Sequence, residues 1–296
     1  MVESRQQPDS FNKYTYRLDI CYDGGVFHGW QRQPNGRSVQ EEIERVLAKI
    51  FSTQVSILGA SRTDSGVSAR MQVASFRLSK KIDTFKLKRS LNALLPDSIL
   101  ILEVSEVDPR FHPIYDVKSK IYSYSFCLAK DKLPLQKGVL PLRYSKDNFD
   151  LIALSQALVY LVGAANFKSF CASDSCVKDF TRTIYEIALV EDLNESHRYE
   201  LWFLGSGFLK QMIRSIVGTL FDVATHKIKP GYIKDILEYR DRTRASATAP
   251  ATGLVLEYIN YNKDYIKDES ENKMNSQSLI IQKLPYSKKI ITRVMY

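Results

Sequence analysis

The chain has 296 residues, of which 44% are hydrophobic, and lysine plus arginine exceed aspartate plus glutamate by nine. This length fits one large domain or two ordinary ones, and no apolar run approaches the roughly 18 residues of a membrane span. The positive charge favours a polyanionic partner such as a nucleic acid. The N-terminus lacks an apolar signal segment, and the cysteine spacing matches no familiar zinc pattern. We therefore expect a cytoplasmic protein with free thiols.

In the first half of the chain, alternating or β-branched stretches predict strands, and apolar residues at helical spacing predict helices. Ser38 with Glu41 forms a capping box, and Asp83 is a predicted N-cap. The predicted elements, in chain order, are a strand at 14–22, a helix at 37–52, strands at 55–60 and 72–78, a helix at 84–95 and a strand at 98–107.

The second half repeats this β-α-β-β-α-β order. Its predicted elements are a strand at 120–128, a helix at 147–163, strands at 181–192 and 199–205, helices at 208–225 and 231–239, and a strand at 253–261. The repeated order predicts an α+β protein of two ferredoxin-like units with mainly antiparallel sheets. The predicted organisation is a disordered lead at 1–13, domains at 14–111 and 112–265, and a tail at 266–296 of unknown role. The amphiphilic end of that tail indicates a docked strand.

A polar stretch around Asp64 separates the two predicted strands at 55–60 and 72–78, and it has three interpretations. In the first, Asp-Ser-Gly is a turn in which the Asp side chain bonds the local backbone. In the second, it is half of an aspartic protease site, but that chemistry needs two carboxylates sharing a proton. The chain has no second such triplet, and Arg62 would keep Asp64 ionised. In the third, Asp64 is a positioned nucleophile.

The segment GASRTDSGVSA around Asp64 resembles the motif Gly-Ala-Gly-Arg-Thr-Asp-Ala-Gly-Val-His-Ala of the TruA family of tRNA pseudouridine synthases. The chain also resembles that family, in the same order, in YDGGVFHGWQRQP, SVQ, NALLP, FH, SKIYSYSF, FLKQMIRSIVGTL and DRTRASATAPATGLVL, between residues 14 and 261. It departs from the family's motifs at five positions, which are Ser61, Ser65, Ser68, Pro113 and Ile114.

This resemblance implies a pseudouridine synthase fold and isomerisation of uridine to pseudouridine at positions 38 to 40 of the tRNA anticodon stem-loop, with no cofactor and no metal. The target nucleotide must leave its stack to be reached. By the same resemblance Asp64 is the nucleophile, attacking either the base or the sugar C1′. Tyr122 stacks on the flipped base and moves a proton, Arg214 pairs with Asp64, and Arg62 stabilises the flipped state. A homodimer is also implied.

Simpler structural roles remain open for two of these residues. Tyr122 is a core tyrosine in one interpretation. Arg214, which a helical wheel places four residues after Lys210 at the edge of an apolar stripe, is a snorkelling arginine in another. In that case Arg62 is the better partner for Asp64.

The basic residues that are candidates for RNA phosphate contacts are Arg62, Arg32, Lys210, Arg37 and Lys168, together with Arg182 and the arginines at 240, 242 and 244. Such contacts position RNA without reading its sequence. An alternative function is a non-catalytic RNA-binding protein with tandem RRM-like domains. That class stacks bases on the aromatics of an RNP1 pattern, and no such pattern occurs on the expected strands.

Overall fold

The computed structural model describes residues 13–128, 138–142, 144, 146–261 and 279–296. The predicted disordered lead lies outside the described residues, apart from Lys13. The described chain divides into two compact units. Unit one contains residues 13–118 and 256–261, and unit two contains the described residues between 119 and 255 together with 279–296. These units are groups of contacting residues, so the predicted domain limits stay a prediction.

Within the described ranges the chain forms eleven strands and six α-helices. The strands are β1 (Tyr14–Tyr22), β2 (Leu58–Gly59), β3 (Ser68–Leu78), β4 (Ile99–Val107), β5 (Val117–Leu128), β6 (Leu140–Leu142), β7 (Gly163–Asn166), β8 (Thr181–Asp192), β9 (Arg198–Gly205), β10 (Leu254–Tyr261) and β11 (Lys288–Met295). The helices are α1 (Val39–Phe51), α2 (Thr84–Leu94), α3 (Leu151–Ala157), α4 (Met212–Ala224), α5 (Tyr232–Tyr239) and α6 (Leu279–Lys283).

Unit one is built on a sheet in the order β10-β3-β1-β4, with β2 added to β3. β1 pairs antiparallel with both β3 and β4, and β2 pairs antiparallel with β3. The predicted caps of its helices are confirmed. Ser38 Oγ accepts a hydrogen bond from Glu41 N at 3.3 Å, and an Asp83 carboxylate oxygen accepts one from Lys86 N at 3.0 Å. These bonds satisfy backbone donors that a helix start leaves open.

Unit two has a sheet in the order β11-β8-β9-β5, with β7 added to β8. Its pairs β5–β9, β8–β9, β7–β8 and β11–β8 are antiparallel, whereas β5 and β6 are parallel. The prediction of α and β structure with mainly antiparallel pairing is therefore confirmed. The predicted docked strand near the C-terminus is confirmed as β11.

Four predicted elements are wrong in extent, of which the strand predicted at 72–78 begins earlier, at Ser68. The predicted helix at 147–163 is only α3. It begins after Asp150, whose side chain caps the helix by accepting hydrogen bonds from Ile152 N and Ala153 N. The predicted end is wrong as well, because Gly163, with a φ of 112°, begins β7 instead. The predicted helix at 208–225 begins only at Met212, because Gln211 has a left-handed φ of 58°. The predicted strand at 55–60 is reduced to the two residues of β2.

The late start of α4 removes Lys210 from the helix, so the predicted helical spacing of Lys210 and Arg214 is wrong. Among the described residues, no helix is both long enough and apolar enough to cross a membrane.

Candidate active site

The predicted catalytic residues are divided between the two units. Asp64 and Arg62 belong to unit one, whereas Tyr122 and Arg214 belong to unit two. Asp64 lies in the loop that connects β2 to β3 and is partly buried.

The backbone around Asp64 is anchored on both sides. Thr63, which is 8% exposed, bonds through its hydroxyl to the hydroxyl of Tyr22 at 2.8 Å, and its carbonyl accepts from Trp30 N at 3.2 Å. On the other side, Val67 N donates to the Asp64 carbonyl at 3.1 Å. The backbone that carries the Asp64 side chain is therefore held in place by bonds within unit one.

A buried glutamine fixes the start of the same loop. Gln72 Oε1 accepts from Ser61 N at 3.1 Å, and Gln72 Nε2 donates to the Ser61 carbonyl at 2.6 Å. The next side chain, Arg62, is exposed. The loop therefore presents a cation to solvent two residues before a partly buried carboxylate.

Two glycines allow the segment at 22–30 to lie against the Asp64 loop. A Cβ on Gly29, whose φ is +96°, would lie 2.8 Å from the Thr63 carbonyl oxygen and 3.2 Å from the Asp64 carbonyl carbon. A Cβ on Gly24 would lie 2.0 Å from the Val67 carbonyl oxygen. These contacts give a steric reason for the glycines of the YDGGVFHGW segment, which the sequence analysis did not supply.

Two serines that depart from the family's motif also hold this loop. Ser65 Oγ donates to the Phe27 carbonyl at 3.4 Å, and Ser68 Oγ accepts from Gly24 N at 3.0 Å. Both hydroxyls connect the Asp64 loop to the segment at 22–30, so these departures are compatible with the anchored conformation.

Tyr122 lies on β5, opposite Phe203 on β9, and is 6% exposed. Its ring meets the ring of Phe208 edge to face, with centroids 5.3 Å apart. Tyr124, two residues later, is a core residue whose hydroxyl donates to the Pro250 carbonyl at 2.9 Å. Burial raises the pKa of the Tyr124 phenol, and the charge of Arg214 acts in the opposite direction.

Arg214 lies in the first turn of α4 and is partly buried. Its Nε donates to the Ala249 carbonyl at 2.8 Å, and its own carbonyl accepts from Ala249 N at 3.0 Å. The guanidinium is therefore fixed in direction by the segment that precedes β10.

Arg242 has a structural contact that sequence reasoning missed. Its Nη1 donates to the carbonyls of Ala245 and Ser246 at 3.2 and 3.0 Å, and its Nη2 donates to Thr248 Oγ1 at 2.8 Å. These bonds shape the segment that also holds Arg214. Nothing in the local sequence indicates them, because an exposed phosphate contact and a backbone clamp use the same residue type.

At least four of the nine predicted candidates for phosphate contacts interact with a side chain of their own unit. The pairs are Arg32 with Glu44 at 3.3 Å, Arg37 with Glu42 at 2.6 Å, Lys210 with Asp174 at 2.6 Å, and Lys168 over the ring of Phe180 at 5.8 Å. Only the Lys210–Asp174 pair joins two exposed side chains, so it is weak and leaves Lys210 suited to exchange onto a phosphate. The carboxylates of Glu44 and Glu42 are buried, so Arg32 and Arg37 also neutralise buried charges of unit one.

Within the part of the chain that the structure describes, no group of three or more His, Cys, Asp or Glu side chains is placed to hold a metal ion. His112 Nδ1 accepts from the backbone N–H groups of Ile114 and Tyr115, each at 3.2 Å, which accounts for its position.

Comparison with known proteins gives a consistent set of similarities. A family model described as tRNA pseudouridine synthase matches residues 20–116 and 157–262, which include Asp64 and Arg214 but not Tyr122. The chain is 39% identical over 245 residues to tRNA pseudouridine synthase A of Clostridium acetobutylicum, covering 83% of this chain and 98% of that one. It is 40% identical over 250 residues to the protein of the same name from Brevibacillus brevis, with the same coverage of 83% and 98%. For the Maridesulfovibrio salexigens protein of that name the identity is 38% over 248 residues, covering 83% of this chain and 90% of that one.

Proposed function

The chain belongs to the family of tRNA pseudouridine synthases, and from this premise we propose which residues carry the reaction and where on the tRNA it takes place. The protein isomerises uridine to pseudouridine in tRNA. The proposed targets are the uridines at positions 38 to 40 of the anticodon stem-loop. A non-catalytic RNA-binding role is not favoured by this membership.

Asp64 is the proposed nucleophile, and the observation that carries this role is its anchored loop. Asp is a weak nucleophile that depends on positioning, and hydrogen bonds at Thr63 and Val67 hold the backbone on both sides of it. Its carboxylate forms a bond either to the base or to C1′ of the sugar. The N1–C1′ bond breaks, the base turns and C5 bonds to C1′, after which the bond to Asp64 breaks. C5 loses its proton and N1 gains one, so that uridine and pseudouridine have the same composition.

Tyr122 and Arg214 are proposed to assist Asp64. The Tyr122 ring is fixed by Phe208, which suits a surface for stacking on a flipped base. Arg214, oriented by Ala249, is the proposed cation that keeps the Asp64 carboxylate ionised. Both roles rest on the resemblance of the motifs that contain these residues.

The proposed architecture is two ferredoxin-like domains, at 14–111 and 112–265. Unit one supports this, because its strands run in the order β4-β1-β3-β2 with antiparallel pairs, as a β-α-β-β-α-β unit requires. We further propose that the enzyme is cytoplasmic, acts as a homodimer and needs no cofactor. Arg62, Arg32, Arg37, Lys168 and Lys210 are the proposed contacts to RNA phosphates.

Replacing Asp64 by Asn tests the catalytic assignment, because this change keeps the size of the side chain and removes its charge. We expect Asp64→Asn to abolish tritium release from tRNA that contains 5-tritiated uridine, while tRNA affinity stays within a few-fold of wild type. Asp97→Asn, an exposed aspartate in the same unit, is the matched control and should keep full turnover.

Near wild-type turnover by Asp64→Asn would contradict the assignment. Loss of the folded state, seen as a lost thermal transition, would instead support the turn interpretation of Asp64.

A further inference from the structure

Two basic side chains lie on one face of the unit-two sheet. Lys120 on β5 is directly opposite Gly205 on β9, and Gly205 is opposite Ile184 on β8. Partners across antiparallel strands point to the same face, as do residues two apart on one strand. Arg182, two residues before Ile184, therefore shares the face of Lys120.

Gly205, the residue between Lys120 and Ile184, has no side chain and cannot easily gain one. A Cβ on Gly205 would lie 2.9 Å from the ring of Phe208 and 2.9 Å from the Thr183 carbonyl oxygen. The turn after Gly205 is fastened to β8, because Ser206 N donates to the Thr183 carbonyl at 2.9 Å and Ser206 Oγ accepts from Thr183 N at 3.1 Å. The space between Lys120 and Arg182 is thus set by fixed backbone.

The two cations interact electrostatically. Burial, with a smaller contribution from the charge of Arg182, lowers the pKa of Lys120 to about 8. The two positive charges repel each other where both are partly shielded from water. An anion bound between them would offset this repulsion.

Arg182 is oriented for such an anion. Its Nη1 donates to the carbonyls of Asp179 and Thr181 at 3.1 and 2.6 Å. Its Nε and Nη2 form one side edge of the guanidinium, and neither atom donates a hydrogen bond to a described residue. That edge matches two oxygens of a phosphate group.

We propose that Lys120 and Arg182 together bind one backbone phosphate of the RNA, next to the nucleotide whose base stacks on Tyr122. This rests on the proposed function of Tyr122. Lys120 and Tyr122 are two residues apart on one face of β5, a separation of about 7 Å along the strand. Base and backbone phosphate are separated by one sugar, so neighbouring sites for them are expected at such a spacing.

Binding of a synthetic anticodon stem-loop RNA tests the proposal, with all variants made in the Asp64→Asn background so that the RNA is not converted. We expect Lys120→Met and Arg182→Met each to weaken binding by about fivefold to tenfold, and each to reduce the slope of log affinity against log salt by about 0.7 to 0.9. The double variant should lose less than the product of the single losses, because both residues hold the same phosphate. Lys234→Met, which removes an exposed lysine of α5, controls for net charge.

RNA affinity measured as a function of pH distinguishes a phosphate-binding lysine from a lysine that only supports the fold. The charge that acts on Lys120 from the neighbouring strand is the Arg182 guanidinium on β8. The Tyr122 phenol lies on the same face of β5, and Gly205–Phe208 brings no ionisable side chain. The affinity of protein that retains Lys120 should fall about threefold to fivefold from pH 7 to pH 9, because a group with a pKa of about 8 loses most of its charge over this range and its neutral form binds no worse than Lys120→Met. In the Lys120→Arg variant the side chain stays charged over this range and Tyr122 is unchanged. Its RNA affinity should therefore be the same at pH 7 and pH 9.

The outcomes separate the two proposals. If protein with Lys120 and Arg182 intact does not bind the stem-loop, the proposed function fails. If it binds, but Lys120→Met matches Lys234→Met in affinity and salt slope, only the phosphate site is overturned. If Lys120→Met in otherwise wild-type enzyme loses turnover at unchanged affinity, the ammonium acts on the reacting base, which also overturns the phosphate site.

Discussion

The guanidinium of Arg214 is directed by its own unit. Its Nε is engaged by the Ala249 carbonyl, and the backbone of the same two residues is joined by a second hydrogen bond. A lysine at this position has a single ammonium, which cannot bond Ala249 and also present a planar pair of donors to a carboxylate. The proposed pairing with Asp64 therefore depends on the shape of the guanidinium as well as on its charge.

We predict that Arg214→Lys lowers turnover at least about tenfold, a loss of roughly 1.4 kcal/mol in the barrier, with little change in melting temperature. Tritium release measures the rate, and Arg45→Lys, an exposed arginine of α1, is the control. Adding Arg214→Ala to Asp64→Asn should cost little further activity, since residues that act as a unit are not additive. Wild-type turnover by Arg214→Lys would show that the pairing is wrong and would make Arg62 the better partner.

At the scale of elements, local signals were sufficient wherever local bonds determine the structure. The caps at Ser38 and Asp83 were predicted because an N-cap bonds a backbone N–H only a few residues away. The start of α4 could not be predicted in this way. The apolar pattern continues back through Phe208 and Leu209, and nothing in it indicates that Gln211 adopts a left-handed conformation.

The candidate site shows the same division. Asp64 could be found from its motif, whereas its anchors come from Tyr22 and Trp30, more than thirty positions away in sequence. Lys120 was not predicted at all, because its environment depends on Gly205 and Arg182 on two other strands. Sequence patterns identify chemistry that is carried by a motif, but they do not identify chemistry created by strand register.

The C-terminal strand β11 brings cations to buried carboxylates. Lys288, whose side chain is 8% exposed, bonds Asp192 and also Glu200, the latter at 3.0 Å. Arg293 Nε donates to Glu186 Oε1 at 2.7 Å, and Glu186 is 3% exposed. Removing one partner from a buried pair leaves an uncompensated charge, which is strongly destabilising. This strand is therefore expected to stabilise unit two, although it lies beyond the residues that the family model matches.

We predict that Lys288→Met lowers the free energy of unfolding by about 3 kcal/mol, whereas Lys289→Met, the exposed neighbour on the same strand, changes it little. Urea denaturation followed by circular dichroism measures both. Burial raises the pKa of Asp192, but the hydrogen bond from Lys288 leads a set of interactions that hold it below 3.8 overall. Stability from a lowered carboxyl pKa is present above the unfolded value and is lost as pH falls through the folded value.

The difference between wild type and Lys288→Met should accordingly shrink below pH 3.8. Equal effects of the two lysine substitutions at neutral pH would show that the buried ammonium does not stabilise the strand.

For the molecule as a whole, the excess of nine positive charges gives the proposed substrate a sequence-independent attraction. The proposed contacts occur on both units, with Arg32, Arg37 and Arg62 on unit one and Lys168 and Lys210 on unit two. Four of these side chains already have a partner in their own unit. Binding RNA exchanges the exposed Lys210–Asp174 pair for a phosphate contact and releases the counterions of the RNA.

We predict that tRNA affinity falls steeply with salt, with a slope of about −4 to −5 for log affinity against log salt. This slope follows if the five contacts and the Lys120–Arg182 pair each neutralise one phosphate, since each contributes about −0.7 to −0.9. Titrations of the Asp64→Asn protein from about 50 to 200 mM salt measure it, at constant Mg²⁺ so that only the monovalent ion varies. Replacing one of the five contacts by Ala should make the slope of log affinity against log salt less steep by close to one. It should weaken the binding of all tRNAs to the same extent, because phosphate contacts carry no sequence information. An affinity that does not change over this range would contradict a phosphate-contacting surface, and the excess positive charge would then need another explanation.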